Sequence, residues 1–201
     1  MLRHHSYCRL ALLLAALMLC SAGSAWAVVD PAQLFDPGRL KPVDSVLKVA
    51  VGQAAPDFSL PSLTGNKVSL SEFRGKKNVV ITFVPAAFTP VCSDQWPGYN
   101  IARELFEAHD AVLLGITTDN LPSLFAWTHQ MDAGGLWFPV LSDFWPHGAV
   151  ASAYGLLRTE GVSERGIIIV DKQGIIRYVS VSDINLRPEL GSIMKELEAL
   201  Q

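Results

Sequence analysis

The side chains best suited to chemistry are gathered in Pro85-Ala-Ala-Phe-Thr89-Pro-Val-Cys92, where a thiol follows a hydroxyl and two prolines. The β-branched run Asn78-Val-Val-Ile-Thr-Phe-Val84 precedes it, bounded by Lys76-Lys77 and Pro85, which is the pattern of a buried central strand. After it, Trp96, Ile101, Leu105 and Phe106 recur at roughly helical spacing. Cys92 is therefore expected in the first turn of a helix, where outward-pointing N–H groups and the positive end of the dipole favour a negative charge. The nucleophilic form of cysteine is the thiolate, so the chemistry indicated is attack by sulfur. An ordinary thiol is already a few per cent ionised at neutral pH, and full ionisation enlarges the supply of nucleophile only about thirtyfold. The rest of a fast thiol reaction must come from groups that orient the substrate and stabilise the charge developing on it. A lone cysteine after a strand is also an ordinary packed hydrophobe, so its neighbours decide between the two readings.

Those neighbours depend on the elements that place them. Asp57-Phe-Ser-Leu60 and Lys67-Val-Ser-Leu70 read as short strands around the turn Leu63-Thr-Gly-Asn66. The helix from Cys92 to Ala108 contains Pro97-Gly98, which predicts a kink or a late start there. Ala111–Thr117 is the next strand and Pro122–Gln130 the next helix, followed by a strand at Phe138–Leu141 and a helix near His147–Tyr154. Arg165–Val170 and Gly174–Val181 flank the turn Asp171-Lys-Gln-Gly174 as a hairpin, and Arg187–Leu200 closes the chain as an amphipathic helix. Alternating strands and helices with a terminal hairpin and helix predict an α/β fold of the thioredoxin type, a central mixed sheet flanked by helices.

The 201-residue chain favours a single domain, and its net charge of −3 leaves no excess positive field for nucleic acid. With 50% hydrophobic and 17% charged residues it is not a disordered chain. Residues 1–27 read as an export signal: a basic start at Arg3, His4, His5 and Arg9, an unbroken apolar run Leu10–Cys20, and small residues ending in Ala25-Trp-Ala27. The run is about half the ~20 residues a spanning helix needs. The expected location is therefore periplasmic or otherwise extracytoplasmic; the alternatives are an uncleaved membrane anchor and lipid attachment at Cys20, against which large Leu19 speaks. Cleavage after Ala27 removes Cys8 and Cys20, leaving Cys92 as the single cysteine, and takes away Arg3 and Arg9, shifting the net charge to −5. No internal disulfide is then possible, and an odd cysteine in an exported chain is a packed hydrophobe, an intermolecular bridge or a working thiol. Residues 28–47, with Pro31, Pro37 and Pro42, form a polar extension that cannot be one continuous element, and the domain proper spans 48–201.

The segment Phe83-Val-Pro-Ala-Ala-Phe-Thr-Pro-Val-Cys92 resembles the active-site loop of the peroxiredoxins, the AhpC/TSA family. The resemblance extends to Val51-Gly-Gln-Ala-Ala-Pro-Asp-Phe58 and to the hairpin Gly166–Arg177, covering roughly residues 48–200. Phe138–Val150, containing Phe144-Trp145-Pro146-His147-Gly148, and Ala153-Tyr-Gly155 are similar to the one-cysteine alkyl hydroperoxide reductase E subgroup. The resemblance implies a thiol-dependent peroxidase. Cys92 would attack a peroxide oxygen and become a sulfenic acid, and Thr89 would hydrogen-bond the thiolate or the peroxide. Pro85 would shield the pocket, and Arg165 would stabilise thiolate and leaving oxygen; Arg158 is the substitute candidate. The resolving thiol of two-cysteine relatives is absent, its position five residues on being Pro97, so an external thiol, small or thioredoxin-like, must reduce the sulfenate.

Two other classes compete. A thioredoxin-like disulfide oxidoreductase needs a second thiol, and the position three residues after Cys92 is Gln95. A non-catalytic binding module has no use for Cys92, Thr89 and Arg165 together. His109, His129 and His147 lack metal-ligand spacing and no phosphate-binding glycine loop occurs, so neither metal nor cofactor is expected. Phe144 and Trp145 suggest an apolar homodimer contact.

Overall fold

The computed structural model describes residues 29–200; the export signal expected at 1–27 lies outside them. Strands β1 (Ser59–Pro61) and β2 (Lys67–Ser69) pair as an antiparallel hairpin. The main sheet contains β3 (Asn78–Phe83), β4 (Ala111–Thr117), β5 (Val140–Ser142), β6 (Arg165–Val170) and β7 (Ile176–Ser182) in the order β5-β4-β3-β6-β7. β3, β4 and β5 run parallel, while β6 and β7 are antiparallel additions. The helices are α1 (Pro90–Ile101), α2 (Arg103–Ala108), α3 (Leu121–Met131), α4 (Ala149–Tyr154) and α5 (Leu190–Glu198). The expected mixed-sheet α/β fold of the thioredoxin type is what forms.

Strand alternation divides the core between two faces. On one face Val80 and Val84 of the β3 segment join Leu113, Ile167 and Ile169 against Trp96, Phe106, Leu124, Trp127, Ile193 and Leu197 from α1, α2, α3 and α5. On the other, Val79, Ile81 and Phe83 join Leu114, Ile116, Ile168 and Val170 against Phe58, Leu60, Leu70, Val150 and Tyr154. Burial on both faces explains why β3 and β6 are apolar runs rather than alternating ones. Each fully buried aliphatic side chain contributes about 1.5–3 kcal/mol of transfer free energy. Gly115 lets this packing close: a Cβ there would meet the Trp96 ring at 2.8 Å.

Several boundaries differ from the sequence expectation. The helix carrying Cys92 starts at Pro90 and runs through Pro97; the break falls at Ala102 (φ −83°, ψ 12°). Buried Trp96 and Tyr99 hold the turn around Pro97, so packing offsets the lost hydrogen bond. β5 begins at Val140 because Pro139 has no N–H for the ladder. β7 begins at Ile176 because the Asp171 carboxylate accepts the N–H groups of Gln173 and Ile175 (both 2.9 Å). α4 begins only after Gly148, whose φ of 61° is left-handed, and its first amides are accepted by the Asp143 carboxylate. α5 is shorter than expected because Pro188 and Glu189 precede its first turn. Residues 29–47 contain one short 3-10 turn at Pro31–Gln33, and Val29 is buried rather than trailing free.

Candidate active site

Thr82 and Val84 share the α1-facing side of the β3 segment, and Arg165 shares that side of β6 with Ile167 and Ile169. Cys92, the third residue of α1, is fully buried beneath this junction. Two stretches far apart in sequence therefore converge: Arg165 Nη2 lies 3.4 Å from Cys92 Sγ. Gln95, one helical turn beyond Cys92, accepts from Arg165 Nη1 at 2.5 Å and donates from Nε2 to Thr82 Oγ1 (3.1 Å) and Tyr99 Oη (3.3 Å). Arg165 Nε and Nη2 donate to the carbonyl of Ile184 at 3.2 and 3.0 Å. Burial pushes the Tyr99 hydroxyl up to about 12, so it stays neutral as Gln95's partner.

Arg165 is only 2% exposed, and its hydrogen bonds among the described residues run to neutral oxygens and to the Cys92 sulfur. The Asp183 carboxylate interacts with this guanidinium through space, and the Cys92 sulfur is the reactive atom that its hydrogen bonds reach. Arg158 is different. Its Nη1 donates to Glu164 at 2.8 Å in an ion pair whose two side chains are both fully buried, and its other donors reach Glu160 and the Lys41 carbonyl. It is committed to carboxylates and does not approach Cys92.

The loop between β3 and α1 is fixed from several sides. Pro85 is buried directly after the strand, and Ser163 Oγ donates to the Val84 carbonyl at 2.8 Å. The Ala87 N–H donates to Asp119 Oδ2 at 2.8 Å, and the same oxygen receives the Thr117 hydroxyl. Phe88 sits at φ 57°, a left-handed conformation that costs a non-glycine residue about 1–2 kcal/mol. Thr89 occupies the helix N-cap position, where its carbonyl accepts the Ser93 N–H at 2.9 Å. Its hydroxyl donates to the Ala86 carbonyl at 2.9 Å rather than to the Cys92 sulfur, and a hydroxyl has a single hydrogen to give.

All four candidate residues thus belong to one locality: Cys92 and Arg165 in contact, Pro85 and Thr89 on the loop between β3 and α1. Sequence reading missed Gln95, Tyr99, Asp119 and the Ile184 carbonyl. Gln95 was legible, because residues three apart on a helix share a face; a backbone carbonyl nineteen positions from Arg165 carries no sequence signal. Among the described residues no three of His, Cys, Asp and Glu are grouped as metal ligands.

Residues 51–179 match the AhpC/TSA family. Alkyl hydroperoxide reductase E of Mycobacterium tuberculosis (strain ATCC 25618 / H37Rv) is 40% identical over 132 residues, covering 65% of this chain and 84% of that protein. The chloroplastic 2-Cys peroxiredoxin BAS1 of Spinacia oleracea is 31% identical over 159 residues, covering 75% of this chain and 59% of that one. Among solved structures, reduced 2-Cys peroxiredoxin of Plasmodium vivax superposes with TM-score 0.70 at 26% identity, covering 76% of this chain and 82% of that one. The AhpC of Mycobacterium tuberculosis gives 0.69 at 27% identity, covering 76% and 93%. A match across more than half of its length, carrying the strand, loop and helix that hold Cys92, makes the chain a member of the AhpC/TSA family.

Proposed function

We propose that the chain is a thiol-dependent peroxidase that reduces hydrogen peroxide or organic hydroperoxides with Cys92 as its one nucleophile. The observation that carries this reading is the buried Arg165 guanidinium, whose hydrogen-bonding partners other than Cys92 Sγ are uncharged. Sulfur attacks one peroxide oxygen, a new S–O bond forms as the O–O bond breaks, and the leaving oxygen takes a proton to depart as water or alcohol. Arg165 stabilises the sulfur before attack and the leaving oxygen during it. Thr89, with its hydrogen given to Ala86, accepts from the peroxide O–H and so aligns the O–O bond. Pro85 keeps water from the sulfur.

The sulfenate is then reduced from outside. One thiol condenses with it to a mixed disulfide, releasing water, and a second thiol displaces Cys92 as thiolate. Cys92 is the free cysteine of the described residues, which favours a small thiol or a thioredoxin-like protein as reductant over an internal partner. Removal of residues 1–27 and work in an extracytoplasmic compartment, as a homodimer, complete the reading. Half-exposed Phe144 and 81%-exposed Trp145 support the dimer. Peroxide consumption by the wild-type protein and by Cys92→Ser, in the presence of a small thiol, tests the whole.

A further inference from the structure

The extension before the family-matching region does more than lead into the domain. Its backbone touches three residues that adjoin the candidate chemical groups. The Phe35 N–H donates to the carbonyl of Phe88, the residue before Thr89, at 2.7 Å. The Asp44 N–H donates to Oε1 of Glu164, the residue before Arg165, at 2.6 Å. The Pro42 carbonyl accepts the N–H of Ile184 at 3.0 Å, and Ile184 in turn presents its carbonyl to Arg165. Asn185 locks that last contact by exchanging a pair of 2.9 Å hydrogen bonds with the Leu40 backbone.

We infer that residues 29–44 form a positioning strap for the peroxide site, holding Thr89 through Phe88 and Arg165 through Ile184 and Glu164. The segment also bonds away from the site, Gln33 Oε1 accepting from Gln130, the Lys41 carbonyl from Arg158 and the Asp44 carboxylate from Thr159, but its contacts with Phe88, Glu164 and Ile184 meet on both sides of Cys92. The Phe88 contact falls on a residue held in the left-handed region, where an external hydrogen bond helps keep a strained loop in one conformation. The Ile184 contact restrains the peptide that orients the guanidinium, and small misplacements of a charge-stabilising group are costly to rate. The Phe35 backbone N–H and the Asn185 side chain do the positioning in this scheme, while the exposed Phe35 ring has no part in it; neither residue touches substrate.

The inference rests on the peroxidase reading, and the test separates the two. Phe35→Pro deletes the N–H given to Phe88, and Leu34, at φ −95° and ψ 136°, already has the extended conformation a following proline requires. Phe35→Ala keeps the N–H and removes a side chain that is 71% exposed. Asn185→Ala releases the strap at Leu40 without altering the strap's own sequence. The expected result is a loss of roughly tenfold or more in the second-order rate of hydrogen peroxide with Cys92 for Phe35→Pro and Asn185→Ala, with Phe35→Ala close to wild type. In an Arg165→Ala background, Asn185→Ala should cost little further, because the strap acts there through the guanidinium. Wild-type rates in Phe35→Pro and Asn185→Ala, or an equal loss with and without Arg165, overturn the strap. A wild-type protein inert towards peroxide overturns the peroxidase reading and the strap with it.

Discussion

Arg165 Nη2 stands 3.4 Å from Cys92 Sγ while Nη1 of the same guanidinium is held by Gln95 at 2.5 Å, so the fork that faces the sulfur is itself oriented from α1. Arg165→Ala should slow peroxide reduction about 10²–10³-fold, the range found when one preorganised donor is removed from a developing charge. Arg165→Lys keeps a charge without the planar fork and should fall between Ala and wild type. Gln95→Leu should lose roughly tenfold through misorientation alone. Stopped-flow mixing with hydrogen peroxide reads all three; an unchanged rate in Arg165→Ala transfers the role to the helix terminus.

Thr89→Val removes the hydroxyl at nearly constant volume. It breaks the bond to Ala86 and deletes the acceptor assigned to the peroxide O–H. A loss of about 2 kcal/mol in transition-state stabilisation, about thirtyfold in rate, is expected. Asp119→Ala frees the Ala87 N–H and should cost less, about fivefold, because it acts on the loop and not on the reacting atoms.

Alkaline stability should depend on Tyr99. Unfolded tyrosine ionises near 10, whereas burial holds the Tyr99 proton to about 12 in the folded chain. Between those values the unfolded state binds fewer protons, so stability falls as pH rises; below pH 10 the contribution is fully present. Denaturant unfolding of wild type and Tyr99→Phe should show a steeper alkaline decline in wild type, on the order of 2 kcal/mol across the window. Parallel curves would show that the hydroxyl ionises freely in place.

Light scattering should give one dimer mass with and without reductant. Trp145→Ala, which truncates the most exposed aromatic of the Phe144–Trp145 pair, should shift the protein towards monomer. A dimer that disappears on reduction would point to a Cys92 disulfide instead.

Much of the site was legible because periodicity and chemistry agreed there. The apolar run Asn78–Val84 had to be a two-sided strand, and the helical spacing that follows the Pro85–Thr89 loop put Cys92 at a helix start. Resemblance added Thr89 and Pro85 from the loop motif and Arg165 from the start of a later strand. What stayed hidden depends on tertiary contacts. Pro97 looked like a break because propensity is local, yet burial of Trp96 and Tyr99 overrides it. The Thr89 hydroxyl gives its hydrogen to the Ala86 carbonyl, a choice that loop conformation decides. Residues 29–47 offered three prolines and an apolar and charged mixture without helical or strand period, and backbone hydrogen bonds to Phe88 and Ile184 leave no mark on composition.

The most direct measurement follows the sulfur itself. Wild-type protein treated with one equivalent of hydrogen peroxide, digested and mapped by mass spectrometry, should gain one oxygen on the peptide bearing Cys92 and no disulfide, and Cys92→Ser should consume no peroxide. Wild-type consumption by Cys92→Ser, or an oxygen that settles on another residue while Cys92 stays reduced, contradicts the account.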